Sequence, residues 1–106
     1  MQYTAKKLVI ITEKLIAHKV TAIIDACGAS GYTITSADGK GSRGVRSDHG
    51  AASDAYANVK IEVIVADASV ADEIAEQVAA KYFSNYSGIT YAMDVEILRP
   101  QKFQKH

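Results

Sequence analysis

The chain has 106 residues, 48% hydrophobic and 23% charged, and its 12 Lys and Arg balance 12 Asp and Glu to give no formal net charge. That length and composition suit one ordinary globular domain with a modest core, too small for an enzyme with a deep private cleft, and the missing basic excess argues against general nucleic-acid binding. Cys27 is the only cysteine, so neither an intrachain disulfide nor a cysteine-rich metal site can form, and no apolar run approaches the ~20 residues of a membrane span.

Only four consecutive aliphatic residues follow Lys6 and Lys7, too few for a signal peptide, and a cytoplasmic location is expected. Lys7 to Ile11 reads as a short buried strand. Thr12 is placed to cap the helix that follows, with Glu13 in its first turn. Ile16, Val20, Ile23, Ile24 and Cys27 then recur at helical spacing, and Gly28 stands where helices end. Gly31 to Ser36 reads as a second strand. From Asn58 to Val65, Val59, Ile61, Val63 and Val65 alternate against Lys60, Glu62 and Ile64. Asp67 or Ser69 can cap a second helix, Ser69 forming a capping box with Asp72, and Ala71, Ile74, Ala75, Val78 and Tyr82 supply its apolar stripe. Asn85 to Gly88 is a turn. Ile89 to Leu98 closes the pattern as a strand with Ile89, Tyr91, Met93, Val95 and Ile97 on one side, and a polar tail, Arg99 to His106, follows.

The order β-α-β-β-α-β predicts an α+β domain over residues 1–106. Its expected form is a ferredoxin-like four-stranded antiparallel sheet with two helices on one face. Val9, Ile11, Ile64 and Leu98 are then left on the opposite face. A bare apolar face on a small domain marks an assembly surface, and a homotrimer with its sheets turned inward is predicted.

Between the second and third strands lies a connection of roughly eighteen residues, far longer than the usual ~2–6. It opens Gly39-Lys40-Gly41-Ser42-Arg43-Gly44-Val45-Arg46. Its glycines open the backbone N–H groups to an anion, and Lys40, Arg43 and Arg46 add cations suited to phosphate or carboxylate. The spacing matches neither a Walker A loop nor a dinucleotide fingerprint. Anion binding therefore stands beside a merely flexible hairpin, with an RNA-binding arginine–glycine segment as a more distant reading. His18 has no partner at ligand spacing, and Asp48-His49 alone makes an incomplete metal site. Cys27 reads as core, Asp72, Glu73 and Glu76 as a solvated cluster, and Tyr82, Phe83 and Tyr86 as core or a base-stacking surface. No nucleophile–base pair is identifiable, so no catalytic or metal residue is assigned.

Four stretches resemble the PII-like signalling proteins. They are Lys7-Leu8-Val9-Ile10-Ile11-Thr12-Glu13-Lys14, Gly28-Ala29-Ser30-Gly31-Tyr32-Thr33, Gly39 to Ser47, and Asn58-Val59-Lys60-Ile61-Glu62-Val63. The likeness runs from about Lys6 to Leu98, and Gly39 to Arg46 points to the cyanobacterial SbtB branch and the carboxysome-associated PII proteins. The resemblance implies a non-enzymatic trimer with adenine-nucleotide sites in the clefts between subunits. It makes residues about 38–57 the T-loop, which engages a partner, and residues about 82–88 the B-loop, with 99–106 as a C-terminal tail. By the same resemblance Gly39, Lys40, Gly41, Ser42, Arg43 and Arg46 lie along the phosphates, Gly28, Ser30, Glu62 and Ile64 approach the adenine side from the adjoining subunit, and Gly88, Ile89 and Thr90 also line the site. Arg43, Arg46, Arg99 and Lys102 are candidates for a small anion such as bicarbonate. The implied partner is a bicarbonate transporter, which would recruit the protein to the inner membrane, or a carboxysome-linked protein.

Departures qualify what carries over. The B-loop lysine of nitrogen-regulatory PII proteins falls at Ile89 in the stretch Tyr86-Ser87-Gly88-Ile89, which favours AMP, ADP or cyclic AMP over ATP. The tail, Arg99 to His106, carries no cysteine, so the redox switch of SbtB proteins is not expected, and no tyrosine matches the modified one at the T-loop tip. Weak apyrase-like nucleotide hydrolysis at the same site is the alternative, and a trimeric metal-binding domain like the divalent-cation-tolerance proteins is a third reading.

Overall fold

The computed structural model describes residues 3–38 and 57–103. Strands β1 (Tyr3–Glu13), β2 (Thr33–Ala37), β3 (Asn58–Val65) and β4 (Gly88–Ile97) form one sheet in the order β2-β3-β1-β4, with every neighbouring pair antiparallel. Helices α1 (Ala17–Ala26) and α2 (Ala68–Tyr82) each connect two strands that have a third strand between them. This is the predicted split βαβ arrangement.

The core forms where the helical stripes meet one sheet face. Ile16, Val20, Ile23, Ile24 and Cys27 pack with Val70, Ala71, Ile74 and Val78 over Leu8, Ile10 and the alternating Val59, Ile61, Val63 and Val65. Ile10, Val20, Ile24, Ile61, Val63, Ile74 and Val78 are wholly buried. At roughly 1.5–3 kcal/mol for each fully buried aliphatic side chain, this seam dominates stability. Tyr82, Phe83 and Tyr86 are half-buried against the core, and Tyr82 and Tyr86 meet edge-on at 6.4 Å, so their role is packing. Cys27 is buried and accepts from Gln77 Nε2 at 3.6 Å.

Several local expectations need correction. The first strand runs on through Thr12 and Glu13, which therefore cap nothing; a 3-10 turn, Lys14–Ile16, intervenes before α1. The ladder to β3 and β4 carries β1 past the end of its apolar run. The second strand begins at Thr33, after a Schellman closure of α1 in which Gly28 N–H donates to Asp25 O and Ala29 N–H to Ile24 O. Gly28 takes φ 85°, the conformation for which glycine is suited there. Asp67, not a Ser69–Asp72 box, caps α2 by accepting from Ser69 N–H at 2.9 Å.

The fourth strand holds the largest surprise. Ile89, Tyr91 and Met93 lie opposite Ile11, Val9 and Lys7, on the sheet face away from the helices, and are 57%, 41% and 42% exposed. Alternation tells which residues share a face but not which face the helices cover, and α2 packs on β1 and β3. The face away from the helices is thus more apolar than predicted: Ile89, Tyr91 and Met93 join the half-buried Ile11 and Ile64, while Val9 on that face is already buried within the chain and Leu98 lies beyond the strand.

Candidate functional site

The chain after β4 does not trail away. Pro100–Phe103 forms a 3-10 turn in which Lys102 N–H donates to Arg99 O, and Ala66 N–H, just beyond β3, donates to Phe103 O at 3.0 Å. The tail is thereby carried toward the far side of the sheet. On that side the Schellman closure directs Ser30 and Gly31 into the start of β2. Between these two segments opens a cleft of about 570 Å³.

Its floor is the open sheet face: Lys7 from β1 with Glu62 and Ile64 from β3. Ser30 to Thr33 form one wall and Gln101, Lys102 and Phe103 the other. Lys7 Nζ stands 3.1 Å from Glu62 Oε2, and Lys60 Nζ is 3.6 Å from the same oxygen. The hydrogen bond from Lys7, with the charges of Lys7 and Lys60, holds the Glu62 carboxyl below its ordinary range. Among the described residues, Lys7, Lys60 and Lys102 outnumber the single Glu62 carboxyl at and beside the cleft. Apolar Ile64 and the Tyr32 and Phe103 rings lie in the same lining. Such a mixture suits a ligand with a flat apolar part and an anionic part.

Of the sequence-predicted residues, the structure brings Ser30, Glu62, Ile64 and Lys102 together in this cleft. Gly28 instead closes α1, and Arg99 accepts the backbone bond that starts the tail's 3-10 turn; neither lines the cleft. Gly88, Ile89 and Thr90 lie elsewhere. Ile89 pairs with Ile11 and Ile64 with Lys7, four residues apart on β1 or roughly 13 Å along the strand. Ile89 faces the open side, whereas Thr90 has a buried hydroxyl with no hydrogen-bond partner among the described residues. Gly88 packs so tightly against Phe83 that a Cβ there would collide with the ring. Gly39, Lys40, Gly41, Ser42, Arg43, Arg46, Asp48 and His49 lie outside the described residues.

Sequence reasoning did not name Lys7, Gly31, Tyr32, Thr33, Gln101 and Phe103 as site residues. Lys7 had a signal, a charge at the head of a strand read as buried. Phe103 had another, an aromatic in a polar tail. Among the described residues no group of three or more His, Cys, Asp and Glu could hold a metal ion, and no helix is long and apolar enough to cross a membrane. His18, exposed on α1, lines a shallower groove with Lys19 and Lys81.

The family model of the nitrogen regulatory protein P-II matches residues 5–102. Among solved structures, the chain is similar to CPII, a nitrogen regulatory PII-like protein from Thiomonas intermedia K12 bound to ADP, AMP and bicarbonate. That match has 31% identity and a TM-score of 0.85 over 97% of this chain and 96% of that one. CPII bound to ADP and bicarbonate matches at 30% identity and TM-score 0.80 over 95% of each chain. A putative PII-like signaling protein from Thermus thermophilus matches at 34% identity and TM-score 0.78, over 95% of this chain and 96% of that one.

Proposed function

The chain belongs to the nitrogen regulatory protein P-II family, and from that premise we propose that it is a ligand-sensing signalling protein whose ligand is an adenine nucleotide. AMP, ADP or cyclic AMP is taken in preference to ATP, in clefts between the subunits of a homotrimer, and bicarbonate joins the nucleotide. The T-loop, about 38–57, reports occupancy as inorganic-carbon or energy status to a partner, a bicarbonate transporter or a carboxysome-linked protein. The protein acts by occupancy, without turnover.

The observation that carries this reading is the cleft above Lys7, Glu62 and Ile64, in a chain 31% identical to a protein solved with ADP, AMP and bicarbonate. Ile64 and the Tyr32 and Phe103 rings in its lining suit a purine, and Lys7 and Lys102 suit the negative charge beside it. Two further features support a site shared between copies. Gly88 to Thr90 lie too far from Ile64 along the sheet to line the same cleft within one chain. The open face also carries Ile89, Tyr91 and Met93, a surface that a second copy would cover. The preference against ATP follows from Ile89, where a lysine would have met the outer phosphates. A ligand signals to a partner only by binding one state of the protein better than another.

Calorimetry of the full chain against AMP, ADP, ATP and cyclic AMP, each with and without bicarbonate, tests the reading. Binding of ADP or AMP more tightly than ATP is expected. Absence of heat with all four at millimolar concentration overturns it, and steady phosphate release from ATP or ADP would replace it with a hydrolase.

A further inference from the structure

Thr12 and Glu13 end β1 and are 2% and 5% exposed, although both are polar. Buried polar groups persist where they are hydrogen-bonded, and here both reach the same residue across the sheet. Thr12 Oγ1 donates to the Ser87 carbonyl at 2.8 Å. Ser87 N–H donates to Glu13 Oε2 at 2.7 Å, and Ser87 Oγ lies 3.3 Å from the same oxygen. Ser87 is thus gripped at its carbonyl and at its amide. The next residue along the corner points the other way: Lys14 N–H donates to the Ala57 carbonyl at 2.8 Å.

The register explains why side chains are used. The β1–β4 pairing ends at Thr12 opposite Gly88, so Ser87 lies one step beyond the ladder. Its backbone groups still need partners, and Thr12 and Glu13 supply them. The β1–β3 pairing ends at Glu13 opposite Asn58, and Lys14 extends it by one bond to Ala57. Ser87 immediately precedes Gly88 to Thr90, and Ala57 immediately precedes β3. One corner therefore sets the entries of two strands that flank β1 on opposite sides.

We propose that Glu13 is a positioning residue for the ligand site. Its carboxylate fixes Ser87 against the end of β1, and with it the Gly88–Thr90 segment that the nucleotide reading places at a cleft between subunits. This inference rests on the nucleotide reading for its effect on affinity and on the corner geometry for its effect on the segment. A glutamine keeps an acceptor oxygen at the same reach; an alanine leaves the part-buried Ser87 N–H without that acceptor.

The test compares Glu13→Gln, Glu13→Ala and Thr12→Val in the full chain, by calorimetry with ADP and by amide hydrogen exchange. Glu13→Gln is expected to bind ADP within about twofold of the original, and Glu13→Ala about tenfold more weakly, the scale of one hydrogen bond to a charged group. Exchange at Ser87 to Thr90 should accelerate in Glu13→Ala and stay unchanged in Glu13→Gln, while α1 amides keep their protection in both. Should Glu13→Ala fail to fold, Thr12→Val, which keeps the side-chain shape and removes one bond, must show the same direction in both readouts. Equal ADP binding by Glu13→Ala and the original chain overturns the inference and leaves the nucleotide reading standing, as does an equal loss in Glu13→Gln. No ADP binding by the original chain overturns the nucleotide reading, and exchange at Ser87 to Thr90 then decides alone whether the corner holds the segment.

Discussion

Replacing Tyr91 with glutamate should break the proposed assembly without unfolding the subunit. Tyr91 lies on the open sheet face opposite Val9 and is 41% exposed in the single chain. Taking ~200 Å² for a tyrosine, the part still open to a partner is about 80 Å², or ~2 kcal/mol per subunit at ~25 cal/mol per Å². A glutamate forfeits that contribution and sets a carboxylate in an apolar interface, where an unpaired charge costs several kcal/mol more. Symmetry repeats the defect in every copy. The subunit core is untouched, because Tyr91 faces away from the helical side. Sedimentation equilibrium at micromolar concentration should give about 34 kDa for the original, three times the 11.4 kDa of one chain, and a monomer for Tyr91→Glu. Circular dichroism should show the same secondary structure for both. A Tyr91→Glu protein that remains a trimer with unchanged melting would refute the assignment of this face, and so would an original chain that is monomeric.

Three other outcomes are expected. Lys7→Met should raise the Glu62 carboxyl toward its ordinary range, because the Lys7 hydrogen bond is the largest cause of its lowering; carbon-detected NMR titration measures this. Glu62 is lowered in the folded state, so its stabilising contribution is present above the ordinary carboxylate range and is lost as pH falls through the lowered value, and in Lys7→Met that acid-side loss should shrink. Asp67→Ala removes the α2 cap and should cost about 1 kcal/mol, seen as a melting temperature lower by about 4–8 °C at fixed protein concentration; no change would mean that Ser69 N–H finds another acceptor. Arg46→Ala should weaken ADP binding by roughly 1.5–3 kcal/mol in calorimetry, the scale of a hydrogen bond to a charged group, and unchanged affinity would put the phosphates elsewhere.

The helical stripes and the β3 alternation were legible because each repeats a period that only one kind of element satisfies: Ile16 to Cys27 at helical spacing, and Val59 to Val65 at every second residue. Ser30, Glu62 and Ile64 were named through the family resemblance and Lys102 as an anion candidate, and all four line one cleft. Lys7, Tyr32 and Phe103 were not reached. Their membership depends on a tail that returns to Ala66 through one backbone bond, and backbone bonds leave no mark in residue type. The Thr12–Glu13 assignment failed for a related reason. A threonine followed by an acid fits a helix cap equally well as a strand end, and the choice was made by Ser87, 75 residues from Thr12 in sequence and 74 from Glu13.

Element order and periodicity therefore belonged to the chain itself, since both are local consequences of where apolar side chains recur, and so did the glycine–arginine connection at 39–46. Which side of β4 meets the core did not. Ile89, Tyr91 and Met93 read as a core stripe in isolation, and they became an open surface because the helices cover the other side of the sheet. The cleft floor was decided in the same way. Lys7 and Glu62 come within 3.1 Å of each other because β1 and β3 are neighbours in the sheet, although their sequence positions lie far apart. Side-chain periodicity is a property of consecutive residues, whereas facing and proximity across a sheet are properties of pairing, and pairing is settled only when the whole sheet closes.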